Sequence, residues 1–505
     1  MGNNQTNKGI SVKNKRGKMA LKIILAGIAL VINMVAISIC FATPWLKSSF
    51  EEVSLEEILF TINMPLNGTN TDYLSEVIQI VILPSIATVL GAVLILYFMA
   101  KYLHKDKWIK WIIGTETVIM VIISTVLLNS FLHIDDFFKR SSKYSVLIEN
   151  EYVDPETVKL TFPEKKRNLI YIYLESMEAS FEGRKNGGLM KENVIPELTE
   201  LSRKYTNFST TGGTGGFYCV TGADYTSASL TAQTMGIPLK FLHEPGSGFA
   251  EKVFLPGAVS IGELLRKNGY ENYFAIGSDA VFGGRKVLFQ THGDYTIFDY
   301  NSAIRDGEID KDYKVWWGYE DEKLFEFSKK RLKKIAKSSQ PFNYTMLTVD
   351  THWPEGYVCD KCNKKYDMQY KNVLACSSKQ VAEFVEWIQK QDFYQNTTIV
   401  ICGDHVTMEK QILSQDREQR RVYNTIINEA VKREHEKKRQ FTAMDMFPTT
   451  LAALGVKIDG ERLGMGVNLY SGEKTVCERY GYKKLDEELG SRSVYYNKRF
   501  LKNKD

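Results

Sequence analysis

A chain of 505 residues is long enough for one large domain or several smaller ones. Its formal net charge is +5, and its seven cysteines are too few for a fold built on disulfides. The composition therefore excludes a small disulfide scaffold, and we expect no nucleic acid among the partners.

The N-terminal quarter of the chain contains three apolar runs, each long enough to cross a bilayer: Ile23–Ala42, Val77–Met99 and Trp111–Leu132. Glu116 lies inside the third run. No small-residue cleavage pattern follows the first run, so a signal peptide is not expected. We predict a basic cytoplasmic tail at residues 1–22 and a membrane unit of three transmembrane helices at residues 23–132. The alternative is that one run is a buried helix of a soluble protein.

The orientation of these helices follows from the basic residues. Six lysines and arginines precede the first run, and four lysines lie between the second and third. The loop between the first and second runs is acidic: its one basic residue is Lys47, and its acidic residues include Glu51, Glu52, Glu56 and Glu57. The positive-inside rule then predicts a cytoplasmic N-terminus and places everything after Leu132 outside the cytoplasm.

Beyond the membrane unit, residues 133–163 read as a charged connector and residues 164–474 as one extracytoplasmic domain. Strand-like and helix-like segments alternate there, which predicts an α/β fold with a doubly wound, mostly parallel sheet. Residues 475–505 form a basic and aromatic C-terminal tail without a predicted role. The core strands are predicted at Arg167–Leu174, Tyr273–Ile276, Tyr344–Val349 and Thr397–Ile401.

Acidic and imidazole side chains follow two of these strands. Glu175 comes directly after the first strand, and Asp404 and His405 follow the last one. Functional groups gather at the carboxyl ends of parallel strands, so these residues can meet and hold one metal ion. Two carboxylates and one imidazole suit Mn²⁺, Mg²⁺ or Zn²⁺, and we expect one divalent ion, with Mn²⁺ preferred. The alternative is an acid that only caps a helix.

Three cysteines, Cys359, Cys362 and Cys376, cluster in one polar segment of the external part. A Cys-x-x-Cys pair can form half of a zinc site, but no fourth ligand of matching spacing is evident. Outside the cytoplasm a disulfide is the plainer interpretation.

Several segments together resemble the bacterial phosphoglycerol transferases and, more distantly, lipoteichoic acid synthases, which belong to the alkaline phosphatase and sulfatase superfamily. The similarity extends from Arg167 to Leu469 and follows the membrane helices, as in that family. The matching segments are Arg167–Glu175, Tyr225–Leu239, Trp317–Glu322, Asp350–Pro354, Gly403–His405 and Arg462–Leu469.

The resemblance implies that Thr226 is the nucleophile and a fourth metal ligand, beside Glu175, Asp404 and His405. A divalent cation would lower the pKa of its hydroxyl. The local alternative is a threonine that caps a helix. The resemblance also implies that His352 binds the transferred group, the alternative being an exposed loop histidine.

Arg285 matches the arginine with which lipoteichoic acid synthases hold phosphate, and a guanidinium suits that ligand. Gly283 replaces the aromatic residue of that motif, so the contact with the head group differs here. From the resemblance we also expect a disulfide between Cys362 and Cys376, with Cys359 free or paired elsewhere.

The sulfatase signature, Cys or Ser followed by x-Pro-x-Arg, is absent around Thr226, which argues against sulfate-ester hydrolysis. The extra carboxylates of a two-metal site are also not evident. The resemblance implies metal-dependent transfer of phosphoglycerol from phosphatidylglycerol, through a threonine-linked intermediate, to a cell-envelope glycan or a glycerophosphate polymer. The alternatives are a phosphoethanolamine transferase of the same architecture and a catalytically inactive membrane-anchored scaffold.

Overall fold

The computed structural model describes residues 4–49, 55–64, 75–103, 106–240 and 253–501. The chain divides into two compact units. One unit is Met1–Glu52 with Asn70–Asp136, and the other is Val53–Thr69 with Phe137–Asp505.

The first unit consists of long apolar helices. They are α1 (Asn4–Ser49), a π-helical turn (Val77–Ile82) that continues into α3 (Leu83–Leu103), and α4 (Asp106–Leu132).

Three stretches of these helices are long and apolar enough to cross a membrane: Ile24–Ser48, Val77–Tyr102 and Trp111–Leu132. The predicted apolar spans are therefore confirmed. Most of their apolar side chains point outward, as expected of surfaces that contact lipid. One polar contact links two of the helices, because Asn33 Nδ2 donates to Thr117 Oγ1 at 2.7 Å.

A seven-stranded sheet forms the centre of the second unit, in the order β3-β8-β7-β2-β6-β4-β5. The five strands from β7 to β5 are parallel, β8 is antiparallel to β7, and β3 is antiparallel to β8. The mostly parallel sheet is thus confirmed. The sheet strands are β2 (Asn168–Leu174), β3 (Gly216–Phe217), β4 (Glu271–Ile276), β5 (Thr296–Phe298), β6 (Phe342–Leu347), β7 (Thr397–Gly403) and β8 (Val422–Ile427).

Two small antiparallel pairs accompany this sheet. They are β1 (Leu160–Thr161) with β9 (Lys457–Ile458), and β10 (Arg462–Leu463) with β11 (Gly466–Val467).

Helices cover both faces of the sheet, so its central strands are apolar on both sides. In β2, the side chains of Leu169, Tyr171 and Tyr173 pack in one hydrophobic core. Those of the intervening residues pack in the other core, on the opposite face of the sheet: Ile170, Ile172 and Leu174. The helices of this unit are α2 (Leu55–Asn63), α5 (Ile134–Ser141), α6 (Leu147–Glu151), α7 (Pro196–Lys204), α8 (Thr226–Met235), α9 (Ile261–Lys267), α10 (Arg285–Thr291), α11 (Tyr300–Arg305), α12 (Asp321–Ile335), α13 (Gln369–Gln389), α14 (Met446–Ala453), α15 (Val476–Tyr480), α16 (Tyr482–Gly490) and α17 (Val494–Phe500).

Two segments far from the sheet in sequence also belong to its core. The C-terminal helices α15–α17 bury Leu485, Tyr496 and Phe500 in the same hydrophobic cluster as Tyr171. The helix α2, from the loop between the first two apolar spans, adds Phe60 to that cluster. Their apolar side chains are removed from water only by packing on the domain, which explains why both segments join it.

A buried carboxyl group in this unit gives stability a pH dependence. Glu182 is 1% exposed; the Thr214 hydroxyl donates to its Oε2, and within the described residues its Oε1 has no hydrogen-bond partner. Burial raises the pKa of Glu182 to about 7, from an ordinary value of 4.5. At a pH between 4.5 and about 7, the Glu182 carboxyl group is therefore protonated in the folded protein and ionised in the unfolded chain.

We expect Glu182→Gln to stabilise the protein at pH 8 but not at pH 4.5. The raised pKa contributes stability at low pH that is lost as the pH rises through 7, because the buried group then carries a charge. The gain at pH 8 should be on the order of 2 kcal/mol. Thermal unfolding of the full chain at both pH values measures it. The exposed Glu386→Gln is the control, and an equal effect of Glu182→Gln at both pH values would contradict the assignment.

Candidate active site

The predicted ligands meet at the carboxyl ends of two neighbouring strands. In the parallel pair of β2 and β7, Leu174 lies opposite Gly403, so the next residues, Glu175 and Asp404, emerge side by side. Gly403 is required there, because a Cβ atom at this position would lie 2.0 Å from the Met177 carbonyl oxygen. The sheet register therefore brings together two carboxylates that are far apart in sequence.

Thr226 is the first residue of α8, and its hydroxyl faces the strand ends. Thr226 Oγ1 lies 3.3 Å from Glu175 Oε2 and 3.4 Å from His405 Nε2. Further along α8, Ser229 donates to the Asp404 carbonyl and Gln233 Nε2 donates to the Gly403 carbonyl at 3.1 Å. These bonds fix the start of α8 against the end of β7.

The orientation of His405 leaves one ring nitrogen for the site. Its Nδ1 lies 2.9 Å from the Val406 carbonyl oxygen. Because a carbonyl oxygen can only accept a hydrogen bond, Nδ1 must carry the proton that is donated. Its Nε2 lies 3.5 Å from Glu175 Oε1 and 3.5 Å from Asp404 Oδ2. The Nε2 is therefore the atom that can act as a ligand.

The donor set fits a divalent metal ion. Ligand atoms of Glu175, Asp404 and His405 all lie within 4.8 Å of one another, and all three residues are buried. Asp404 Oδ1 accepts from the Ser176 and His405 backbone N–H groups, but Asp404 Oδ2 is buried without a hydrogen-bond partner in the described part of the chain. A buried carboxylate oxygen in that position needs a cation or a proton.

The charges of these groups are strongly coupled. Burial and the charge of Glu175 raise the pKa of Asp404 to about 7. Burial alone would lower the pKa of His405, but Asp404 and Glu175 raise it to about 9. Burial opposes ionisation of Glu175 too, yet the charges of His352 and His405 bring its pKa below the ordinary value. Two carboxylates in one buried pocket thus favour a positive charge between them.

His352 and Arg285 lie close enough for their charges to act on this site. Burial lowers the pKa of His352, while the charge of Glu175 opposes that shift. The His352 ring packs on Trp317 with the centroids 4.8 Å apart. Burial lowers the pKa of Arg285 to about 10, and its guanidinium lies 5.3 Å above the Phe282 ring. The structure therefore gathers every residue for which the sequence predicted a role in binding or catalysis.

The loop at Gly283 also packs against α8. Ser227 Oγ donates to the Gly283 carbonyl at 2.6 Å. A Cβ atom on Gly283 would lie only 3.0 Å from Ser227 Oγ. Gly283 has a φ of 64°, a conformation that other residues adopt rarely. The glycine that replaces the family's aromatic residue is thus explained by local packing.

A buried ion pair, which the sequence did not predict, supports the loop after His405. Arg420 is 1% exposed and Glu178 is fully buried. Arg420 Nε donates to Glu178 Oε2 at 3.0 Å, and the Thr407 N–H donates to Glu178 Oε1 at 2.9 Å. Breaking such a pair leaves an uncompensated buried charge, so both residues stabilise this loop. Glu178 follows the Arg167–Glu175 segment closely, but Arg420 lies near none of the matching segments.

The helix α2 contributes a second unpredicted part of the surroundings. Phe60 packs on Tyr225, the residue before Thr226, with the ring centroids 5.4 Å apart. The Met64 sulfur would lie 3.1 Å from a Cβ atom on Gly284, next to Arg285. The sequence showed only an acidic loop here, with no motif to link it to the site.

The three clustered cysteines lie outside this site. Cys359 Sγ is 3.6 Å from Cys362 Sγ and 3.7 Å from Cys376 Sγ. All three sulfurs lie within 4.8 Å of one another. The disulfide expected between Cys362 and Cys376 stays a prediction.

The sulfatase family model matches residues 167–456. This match covers more than half of the chain, which therefore belongs to the sulfatase family. Among sequence relatives, the chain is similar to phosphoglycerol transferase I of Escherichia coli (strain 55989 / EAEC), with 32% identity over 270 residues. The alignment covers 51% of this chain but only 34% of that relative.

Two solved structures share the fold. One is a protein of the alkaline phosphatase superfamily from Vibrio parahaemolyticus, with a TM-score of 0.51 and 21% identity over 64% of this chain and 76% of that one. The other is the integral membrane protein lipooligosaccharide phosphoethanolamine transferase A (EptA) from Neisseria meningitidis. It has a TM-score of 0.51 and 13% identity over 85% of this chain and 84% of that one. These two structures show the fold alone, and the sulfatase family match confirms the family resemblance of the sequence segments.

Proposed function

We propose that this protein is a membrane-anchored phosphoglycerol transferase. It takes the phosphoglycerol group of phosphatidylglycerol onto Thr226 and passes it to a cell-envelope glycan or a glycerophosphate polymer. The observation that carries this proposal is the position of Thr226 Oγ1, 3.3 Å from Glu175 and 3.4 Å from His405 at the start of α8. The similarity to phosphoglycerol transferase I supports the choice of phosphoglycerol.

The first half-reaction transfers the group to the protein. Thr226 Oγ1 attacks phosphorus, the bond from phosphorus to the diacylglycerol oxygen breaks, and the hydroxyl proton ends on that oxygen. Burial lowers the pKa of His352 and so favours its neutral form, which can carry this proton. Arg285 and the N-terminus of α8 offer N–H donors to the phosphate oxygens.

The second half-reaction reverses these roles. An acceptor hydroxyl attacks phosphorus, the bond from phosphorus to Thr226 Oγ1 breaks, and the threonine recovers a proton. Glu175, Asp404 and His405 would hold one divalent ion, for which we propose Mn²⁺, with Thr226 as a further ligand. That ion supplies Lewis-acid stabilisation of negative charge on the phosphoryl oxygens.

The three apolar helices fit a lipid donor, because they hold the catalytic unit at the bilayer in which phosphatidylglycerol resides. We propose that the catalytic unit lies outside the cytoplasm, from the lysine and glutamate asymmetry of the loops. The helix α2, between the first two spans, packs in the same unit as the chain after Leu132. With three crossings, both segments lie on the same side of the membrane, so their packing in one unit supports the number of spans. The choice of the external side rests on the loop charges.

The topology makes a direct prediction. Reporter fusions after Lys18 and within residues 101–110 should be active only in the cytoplasmic form of the reporter. Fusions within residues 51–76 and after Leu132 should be active only in the external form, because a single crossing separates each of these segments from the neighbouring cytoplasmic one. A cytoplasmic signal from beyond Leu132 would overturn the orientation and, with it, access to an outer-leaflet donor.

The donor can be tested with the purified full chain in vesicles. With Mn²⁺ and head-group-labelled phosphatidylglycerol, we expect release of diacylglycerol and label on the protein. Labelled phosphatidylethanolamine in matched vesicles should give neither. The opposite preference would make the protein a phosphoethanolamine transferase. No turnover of either lipid, with metal bound, would favour an inactive scaffold.

A further inference from the structure

The three clustered cysteines form a second site, away from the reacting groups. Cys359 and Cys362 belong to the loop that follows His352, and Cys376 lies on α13. Cys359 and Cys376 are buried, and Cys362 is partly exposed. The sequence alone suggested half of a zinc site at most, because the spacing did not show that Cys376 joins the pair.

The separations of the sulfurs are those of ligands around one tetrahedral metal ion. A zinc–sulfur bond of about 2.3 Å at tetrahedral angles places neighbouring sulfurs about 3.8 Å apart. The two observed distances from Cys359 Sγ are 3.6 and 3.7 Å. The third separation, between Cys362 and Cys376, is also within 4.8 Å, so one central ion could bond all three sulfurs.

A polar side chain beside the sulfurs fits thiolates. Gln380 Nε2 donates to Cys376 Sγ at 3.4 Å and to Cys359 Sγ at 3.7 Å. Such N–H donors stabilise negative sulfur and orient metal ligands.

We propose that Cys359, Cys362 and Cys376 bind one soft divalent metal ion, Zn²⁺ or a metal of similar preference, as thiolates. Binding replaces three S–H bonds by three metal–sulfur bonds and releases three protons. Thiolate ligands select zinc, whereas the oxygen-rich site at Glu175 suits Mn²⁺, so the two sites differ in metal preference.

The position of the cysteine site indicates which part of the protein the bound metal ion would fix. The loop of residues 350–362 carries His352 and returns to α13 at several points. The Tyr370 hydroxyl donates to the Thr351 carbonyl at 2.9 Å, and Gln369 Nε2 donates to the Gly356 carbonyl at 3.2 Å. The metal ion would add a third connection, from Cys359 to Cys376. The thiolate site therefore fixes the loop that positions His352.

Cobalt substitution in the full chain tests the proposal independently of activity. Co²⁺ bound by thiolates has an intense sulfur-to-metal charge-transfer band that oxygen and nitrogen ligands do not produce. We expect this band in the wild-type protein and in Asp404→Asn, displaced by Zn²⁺. It should be lost in Cys359→Ser and Cys376→Ser but kept in Cys477→Ser, which changes a buried cysteine elsewhere.

Thiol counting separates a metal site from a disulfide. After denaturation with a chelator and without reductant, the metal site predicts that all seven cysteines are alkylated. A native disulfide between Cys362 and Cys376 would leave these two unlabelled and would overturn the proposal. Seven free thiols without a charge-transfer band would overturn it as well, as would a band that persists in Cys359→Ser.

Discussion

Replacing Thr226 by alanine should stop transfer while leaving the metal bound. The substitution removes the hydroxyl that faces Glu175 and His405, but it leaves both of these side chains and α8 in place. We expect kcat/KM to fall by about 1,000-fold or more, which is about 4 kcal/mol of transition-state stabilisation. Turnover of phosphatidylglycerol by the full chain in vesicles, with Mn²⁺ binding measured in parallel, provides the test.

The matched control for this experiment is Thr234→Ala in the same helix. Its hydroxyl bonds only the Leu230 carbonyl, at 2.6 Å, among the described residues, so activity should stay near the wild-type level. Thr226→Ser keeps a hydroxyl and should keep part of the activity. Mass spectrometry without an acceptor should find a glycerophosphate adduct on Thr226. An active Thr226→Ala enzyme, or an adduct on Ser227 or Ser229, would refute the assignment of the nucleophile.

Asp404→Asn should abolish Mn²⁺ binding and activity together without unfolding the protein. An asparagine Oδ1 can still accept the Ser176 and His405 N–H groups, whereas its Nδ2 replaces the unpartnered carboxylate oxygen. The change therefore removes charge and a ligand but keeps the local hydrogen bonds. We expect Mn²⁺ affinity to fall on the order of 100-fold or more. Electron paramagnetic resonance of free Mn²⁺ during titration measures this directly.

Glu182→Gln is the control for this charge removal, because Glu182 is buried in the same domain but lies outside the ligand group. It should bind Mn²⁺ as the wild type does. Thermal unfolding of both variants separates a lost ligand from a lost fold. If Asp404→Asn keeps wild-type affinity for Mn²⁺, Asp404 is not a ligand.

The sequence predicted the central strands and the meeting of Glu175, Asp404 and His405 because their signal is local. A run of apolar residues that ends in an acid, as at Glu175 and Asp404, reports both the strand and the place where its polar group emerges. The start of α13 at Gln369 is harder to predict, because the apolar period of this helix is regular only from Val381 onward. Buried polar residues such as Ser378, which donates to Glu197, interrupt the apolar period there.

The parts that could not be predicted depend on contacts between distant segments. Nothing near Arg420 in sequence indicates that it pairs with Glu178 across the loop of Thr407. The third cysteine of the thiolate cluster comes from a helix, at a spacing that matches no zinc motif. Such contacts are fixed by the folded arrangement of the sheet and its helices, not by the periodicity of any one element.

The docking of α2 on the catalytic unit has a consequence for any proteolytic release of this domain from the cell. A cut between Leu132 and Phe137 would free the chain that carries Glu175, Thr226 and Asp404. It would leave behind α2, whose Phe60 covers Tyr225, because α2 precedes the second span. The shed fragment would keep these three side chains but expose an apolar surface at Tyr225, beside Thr226. Shedding would therefore yield a protein different from the one that works at the membrane.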